Sequence, residues 1–310
     1  MMRPSFTFCC FIVISSFLLS AGMAQAAAYP WEGDILGEVA HYTVAKNDTL
    51  YSVARKFDLG IVEIMAANPG VDTWLPKEGS VLIIPTAYIL PTIGHEGIVV
   101  DLSGLRLFYF LDKWTVMTFP IGIGMDGWLT PTGATTIVLK RVHPSWTVPE
   151  AIRKVKPNLP AYVPAGPDNP LGDYAMNLGW NGFLIHGTNR PFGIGRRSSH
   201  GCMRLYPEDI AALFADVPKG TPVTIIDFPY RLAWKNDTLL LQITSSQKQE
   251  DEISKHKPMS QDDIPQVYGD VLQIAGPSAK IDWNAVHAAV MQRTGIPVAI
   301  ATREMAVQKK

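Results

Sequence analysis

Between Gly97 and Tyr230 the chain is written as short apolar runs, each cut off by a Gly or Pro turn, and that pattern leaves few folds open. Gly97-Ile98-Val99-Val100-Asp101 and Leu105-Arg106-Leu107-Phe108-Tyr109-Phe110 are too short for helices and rich in β-branched and aromatic residues. Leu111-Asp112-Lys113-Trp114 is a turn into a third run, Thr115 to Pro120. Further runs follow at Thr135 to Leu139, Tyr174 to Leu178, Phe183 to Ile185 and Val223 to Ile226. Many short strands with this punctuation specify a sandwich or barrel. One helix, Pro207 to Val217, opens with Pro-Glu-Asp, the residues that suit a helix N-terminus. The expected class is therefore mainly β. At 310 residues and 47% hydrophobic, the chain can bury a sizeable core and has room for two or three units.

The flanking segments follow other patterns. Residues 41–85 read as a small α/β module. His41-Tyr42-Thr43-Val44 is a strand, Asn47-Asp48-Thr49 a turn and helix cap, and Leu50, Val53, Ala54 and Phe57 recur at helical spacing. A second helical run, Val62 to Ala67, stops at Asn68-Pro69-Gly70, and Val81-Leu82-Ile83-Ile84-Pro85 is the closing strand. Residues 244–262 are polar and charged and predict a linker or mobile excursion. Residues 263–310 regain order as a small C-terminal α/β subdomain, in which Asp282 to Arg293 is a helix closed by Gly295 and Pro297, with a strand on either side.

Residues 1–26 predict a secretory signal: Arg3, an apolar run from Phe6 to Leu19, then Ala24-Gln25-Ala26 as a small-x-small cleavage site. The run is shorter than the ~20 residues that span a bilayer. No later segment could span a membrane, so no integral membrane segment remains after cleavage. A net charge of -1 with no long basic run argues against a nucleic-acid partner. Export gives the cysteines meaning. Cys9 and Cys10 leave with the signal, and Cys202 remains unpaired in an oxidising compartment. It is either an inert buried thiol or a nucleophile, and its neighbours decide.

The segment from Ile185 to Leu205 holds Cys202, His186, His200, four arginines and several glycines. Acyl transfer by a thiol requires a thiolate, a proton acceptor and donor, and amides aimed at the developing oxyanion. His186, at a strand end, supplies the base. Gly201, with no side chain, lets backbone N–H groups approach a carbonyl. Zinc is not expected, because His186, His200 and Cys202 lack a fourth ligand. No cofactor is called for. Two S-x-x-K matches, at Ser245 and Ser254, fall in the polar linker without S-D-N or K-T-G and read as chance.

Ser199-His200-Gly201-Cys202, with His186 sixteen residues upstream, resembles the signature of the L,D-transpeptidase catalytic domain. The likeness extends to Thr130-Pro131-Thr132-Gly133, Pro144-Ser145-Trp146-Thr147-Val148-Pro149 and the stretch from Pro164 to Gly172. Residues 41–85 resemble the LysM glycan-binding module through Tyr42-Thr43-Val44, Asp48-Thr49-Leu50, Ala67-Asn68-Pro69 and Ile83-Ile84-Pro85; Asn47 stands where Gly is usual. The resemblance implies a mixed β-sandwich catalytic domain over 97–230 and a periplasmic location. It implies that Cys202 attacks the diamino-acid carbonyl of a peptidoglycan tetrapeptide stem and releases D-Ala. An amine of another stem, or a lysine of a wall-anchored lipoprotein, then resolves the thioester. It implies His186 as proton donor and acceptor, the Gly187 carbonyl orienting it, and Gly201 at the oxyanion hole. Ser199, His200, Arg204, Arg197 and Trp146 are implied at the substrate, with Arg204 open to the alternative of an ion pair to Glu208 or Asp209. Glycan strands are the second partner. The alternatives are an L,D-carboxypeptidase or amidase hydrolase using the same thiol, or an inactive wall-binding protein.

Overall fold

The computed structural model describes residues 27–303; the predicted signal, 1–26, and the end of the predicted C-terminal subdomain, 304–310, lie outside the described residues. Its centre is a nine-stranded mixed sheet. The strand order is Ala27–Pro30, Thr115–Pro120, Arg106–Phe110, Gly97–Asp101, Pro222–Ile226, Gly133–Val142, Tyr174–Leu178, Leu184–His186 and Met203–Arg204. Two neighbouring pairs are parallel: Gly97–Asp101 with Pro222–Ile226, and Leu184–His186 with Met203–Arg204. The long strand Gly133–Val142 pairs with Pro222–Ile226 through its first half and with Tyr174–Leu178 through its second. Its register shifts between Ile137 and Leu139, and a bulge of this kind bends a strand. Both halves of the sheet contribute to one core, where Ile98, Val100, Leu107 and Phe119 join Ile137, Met176, Ile185 and Met203. The curled sheet thus makes the expected mainly β fold from one sheet turned over a shared interior.

The strand Gly97–Asp101 is buried along its whole length because both its faces are covered. Ile98 and Val100 point into the main core, while Val99 joins Phe108, Phe110 and Val116 beneath Leu36 and Tyr88. Period-2 alternation with apolar residues on both faces reads as a continuous apolar run, which is what the sequence carries.

The small N-terminal module has the order strand Ala40–Thr43, helix Leu50–Lys56, helix Ile61–Ala67, strand Val81–Ile84. Thr49 caps the first helix reciprocally with Ser52, and Glu63 reaches back to the Gly60 amide at the second. Leu50, Val53, Leu59, Ile61, Ile64, Leu82 and Ile84 belong to the same buried cluster as the large sheet. The module is therefore packed onto the sheet rather than tethered to it.

Two parts of the C-terminal region depart from the sequence reading. The subdomain sheet recruits the hairpin Tyr230–Lys235/Thr238–Ile243 beside Val298–Arg303 and Ala279–Ile281. Helices Pro265–Ala275 and Trp283–Gln292 cover it, with a core of their own. The polar segment 244–262, read as a linker, contains the helix Gln247–Ser254. Ser246 and Gln249 cap that helix reciprocally, and Gln249 and Glu250 are buried. Its buried residues are polar, so polarity gave no sign of the contact. Among the described residues no helix is long and apolar enough to cross a membrane.

Candidate active site

The parallel register of Leu184–His186 with Met203–Arg204 builds the site. Ile185 stands opposite Met203 and His186 opposite Arg204. Alternation puts His186 on the same face as Leu184, and Cys202 on the same face as Arg204. All four line one cleft of about 1040 Å³. Its far wall is an arm between Val142 and Tyr174, in which the short ladder Trp146–Thr147/Tyr162–Val163 brackets the helix Glu150–Val155. Buried Asn169 staples the arm's base. Its side-chain amide donates to the carbonyls of Pro144 (2.8 Å) and Pro164 (2.9 Å), and its oxygen accepts the Leu171 amide.

His186 is 3% exposed, and its Nδ1 lies 2.6 Å from the Gly187 carbonyl. A carbonyl only accepts, so Nδ1 carries the proton and Nε2 is the basic nitrogen. Burial, and then the nearby Arg204 guanidinium, push the imidazole pKa down to about 3 against the backbone carbonyls of Gly187 and Leu171. The ring is a neutral base throughout the physiological range.

Cys202 is half-buried. Its Sγ lies 3.6 Å from the Gly182 carbonyl, and the Leu184 amide donates toward the sulfur. Burial raises the thiol pKa, against the Leu184 amide and the Arg204 charge. A resting thiolate–imidazolium pair is not favoured here. Desolvation penalises both charges. In the resting enzyme, alkylation of Cys202 should therefore accelerate with pH through an inflection above the ~8.5 of a free cysteine. An inflection below that value would overturn the neutral-pair assignment.

The loop carrying Cys202 is held from behind. Ser199 Oγ donates to the Cys202 carbonyl (2.6 Å) and accepts the Gly201 amide (3.1 Å). Thr130 Oγ1 donates to the Gly201 carbonyl (2.9 Å) and accepts the Gly124 amide (3.0 Å). Gly201 sits at φ +102°, and a Cβ there would lie 2.9 Å from the Phe183 ring. Its amide, however, is already engaged by Ser199. The positive φ thus gives Gly201 a conformational role in the loop. Ser199 is fully buried and lines the cleft, and its hydroxyl is taken up by the loop.

Trp146, His200 and Arg204 all line the cleft. The His200 ring meets Trp128 edge-on, 4.8 Å between centroids, and its Nε2 is buried without a partner. Arg204 does not pair with Glu208, which is taken bidentately by Arg55. Its Nη1 lies 3.4 Å from the Ser198 carbonyl and its Nε has no partner. Arg197 is the residue the structure moves out of the site. The helix Gln247–Ser254 covers it, and its guanidinium meets Asp251 Oδ2 (3.3 Å), the Gln247 carbonyl and the Gly124 carbonyl. Sequence reasoning missed Arg141 and Arg190, which with Lys156 and Arg204 make the cleft cationic against one acid, Asp168. Arg190 lay within the motif segment, and Arg141 is remote from it in sequence.

Comparisons with known proteins identify similar domains and chains. Residues 95–225 match the family described as the L,D-transpeptidase catalytic domain, and residues 42–85 match the LysM domain. The probable L,D-transpeptidase YcfS of Escherichia coli (strain K12) is 41% identical over 86% of this chain and 85% of its own length. The probable L,D-transpeptidase YbiS of the same organism is 39% identical over 89% of this chain and 92% of its own. The solved L,D-transpeptidase from Mycobacterium smegmatis is 18% identical, with a TM-score of 0.36, over 48% of this chain and 75% of that one.

Proposed function

Because the chain belongs to the L,D-transpeptidase family, we propose that it remodels peptidoglycan through a thioester on Cys202, with His186 as base and acid. The observation that carries this reading is the pair of strand-end positions that turn Cys202 and His186 into one cleft, with His186 Nδ1 committed to the Gly187 carbonyl. Nε2 takes the thiol proton as Sγ attacks the carbonyl carbon of the diamino acid. The tetrahedral intermediate collapses, the C–N bond breaks, and Nε2 protonates the departing D-Ala amine. An acceptor amine then attacks the thioester and gives its proton to Nε2, and the thiol is restored as the new amide forms. Moving the proton with the attack avoids a standing charge pair in a buried site.

The cationic lining suits a stem peptide, which carries free carboxylates. Arg141, Arg190 and Arg204 offer planar forks for carboxylate oxygens, Arg204 with an unused Nε. Trp146 and His200 complete the walls. The LysM module supplies affinity for the glycan strand, and the exported, periplasmic location is the compartment in which that polymer lies. The acceptor is either another stem peptide or a lysine of a wall-anchored lipoprotein.

Mass analysis of wall fragments after incubation with purified enzyme tests the reaction. A cross-linked stem dimer, or a stem joined to a lysine peptide, is the expected product. Stems shortened by D-Ala with no new amide would make the protein a hydrolase. Unchanged fragments would leave it a binding protein.

A further inference from the structure

We propose that Phe192 of the catalytic domain and Trp74 of the LysM module form one sugar-stacking platform, which holds the glycan strand whose stem peptide enters the Cys202 cleft. This rests on the reading above and adds a glycan contact from the catalytic domain itself.

The two side chains are 118 residues apart in sequence (192 minus 74) and meet at the surface, with ring centroids 6.3 Å apart. Both are open to solvent, Trp74 at 59% and Phe192 at 55%. Half-buried Tyr51 joins them, 4.9 Å from Trp74 and 5.2 Å from Phe192. Leu75, 80% exposed, extends the apolar area. A contiguous exposed aromatic patch marks a binding surface, whereas scattered exposed aromatics do not.

Both carriers are fixed. Asp72 Oδ1 accepts the amides of Trp74 (2.8 Å) and Leu75 (2.9 Å). Between them Thr73 is buried, hydrogen-bonded to His256 Nε2 at 2.7 Å, and its carbonyl accepts the Leu50 amide. Phe192 rides on the tight turn Pro191–Gly193, closed by the Ile194 amide on the Pro191 carbonyl. The next residues lock the two parts together. The carbonyls of Ile194 and Gly195 accept the amides of Ile61 and Val62. Gly60 and Gly195 approach so closely that a Cβ on Gly60 would lie 2.5 Å from the Gly195 Cα. The spacing of Trp74 and Phe192 is thus set by backbone contacts, and a ligand meets a surface ordered in advance.

The occupant follows from continuity and shape. Thr188, Asn189 and Arg190 line the catalytic cleft, and Phe192 is two residues further on. The platform thus stands two residues along the chain from the rim of the cleft. Rigid, flat aromatic faces suit the apolar C–H faces of pyranose rings, and the stem peptides of the proposed reaction hang from such a strand.

The test titrates the full chain with a soluble β-1,4-linked N-acetylglucosamine oligomer and follows tryptophan fluorescence. Turnover is then compared on glycan-linked and free tetrapeptide stems. Phe192→Leu should weaken oligomer binding by about tenfold and lower the ratio of glycan-linked to free-stem turnover by a similar factor. Phe192→Tyr should keep both. Wild-type binding by Phe192→Leu would overturn the proposal, leaving sugar contacts to the module alone or the patch to a protein partner. Equal losses in the Leu and Tyr variants would overturn it in favour of simple packing. Oligomer binding with no stem turnover by the wild type would sink the transpeptidase reading and leave the platform standing.

Discussion

Cys202→Ala is expected to lower acyl transfer by about 10⁴-fold or more, and His186→Ala to cost nearly as much. The thiol forms the covalent bond, and no other described residue is a cysteine. The imidazole matters equally because Cys202 rests as a thiol: burial raises its pKa, so at neutral pH the proton has to be moved during attack. The double variant should be scarcely slower than either single one, since each removal disables the same step. Folding should survive. Cys202 is half-buried at the wall of an open cleft, and its loop is held through Ser199 and Thr130 rather than through sulfur. Stem-peptide turnover, with thermal melts on the same preparations, measures both. Additive losses in the double variant would refute a single shared step.

The same electrostatics set the pH dependence. The folded His186 pKa of about 3 lies below the ~6.5 of an unfolded histidine. The unfolded chain therefore binds a proton that the folded chain refuses, and this group's contribution to stability is lost as pH falls from about 6.5 toward 3. Activity behaves differently. Its acid limb should show no inflection near 6.5, because the base in the folded enzyme is still neutral there. A kcat/KM profile that halves near 6.5 while the protein stays folded would contradict the burial assigned to His186.

What the sequence made legible was chemistry and local pattern. The Ser199-His200-Gly201-Cys202 run, the strand end at His186, the capped helices of the small module and the helix from Pro207 all announce themselves through residue type at short range. What it hid was tertiary. Arg197 and Arg204 look alike in sequence, and only the helix Gln247–Ser254 packed over Arg197 separates them. That helix was itself invisible, because its fully buried residues are Gln249 and Glu250, with Ile253 its one apolar side chain packed on the core. The hairpin Tyr230–Ile243 turns at Asn236-Asp237, with Asn236 at φ +54°, a two-residue turn signal that was there to be read. The bond from the Gly201 amide to Ser199 Oγ was hidden in the same way. No spacing rule foretells such a contact.

Docking of the LysM module carries the largest expected stability effect. Arg106, on the strand Arg106–Phe110, is 2% exposed and reaches across the interface. Its Nη2 donates to Glu63 Oε2 (2.9 Å) and to the Asp58 carbonyl (2.8 Å), and its Nη1 lies 3.3 Å from Thr118 Oγ1. Its guanidinium carbon sits 4.3 Å from the Tyr88 ring centroid. Burial alone would push its pKa down, but Glu63, Tyr88 and Asp58 together outweigh that and hold the charge. Removing Glu63 takes away the largest opposing charge beside a buried cation. Glu63→Ala should therefore cost about 3–5 kcal/mol and lower the melting temperature by roughly 10 °C. Arg106→Met combined with Glu63→Leu should recover part of that loss, since the two replacing side chains need no compensation while buried Asp58 and Asp209 lose the Arg106 charge. For the same reason, deleting residues 41–85 would remove Glu63 along with the glycan contacts and damage the catalytic domain. Point substitutions at Trp74 and Phe192 are thus the cleaner probes of binding. Calorimetry on Glu63→Ala, Glu63→Gln and the double variant checks the interface. A Glu63→Ala protein as stable as the wild type would mean that Arg106 finds water or another anion, and that the module is held by apolar packing alone.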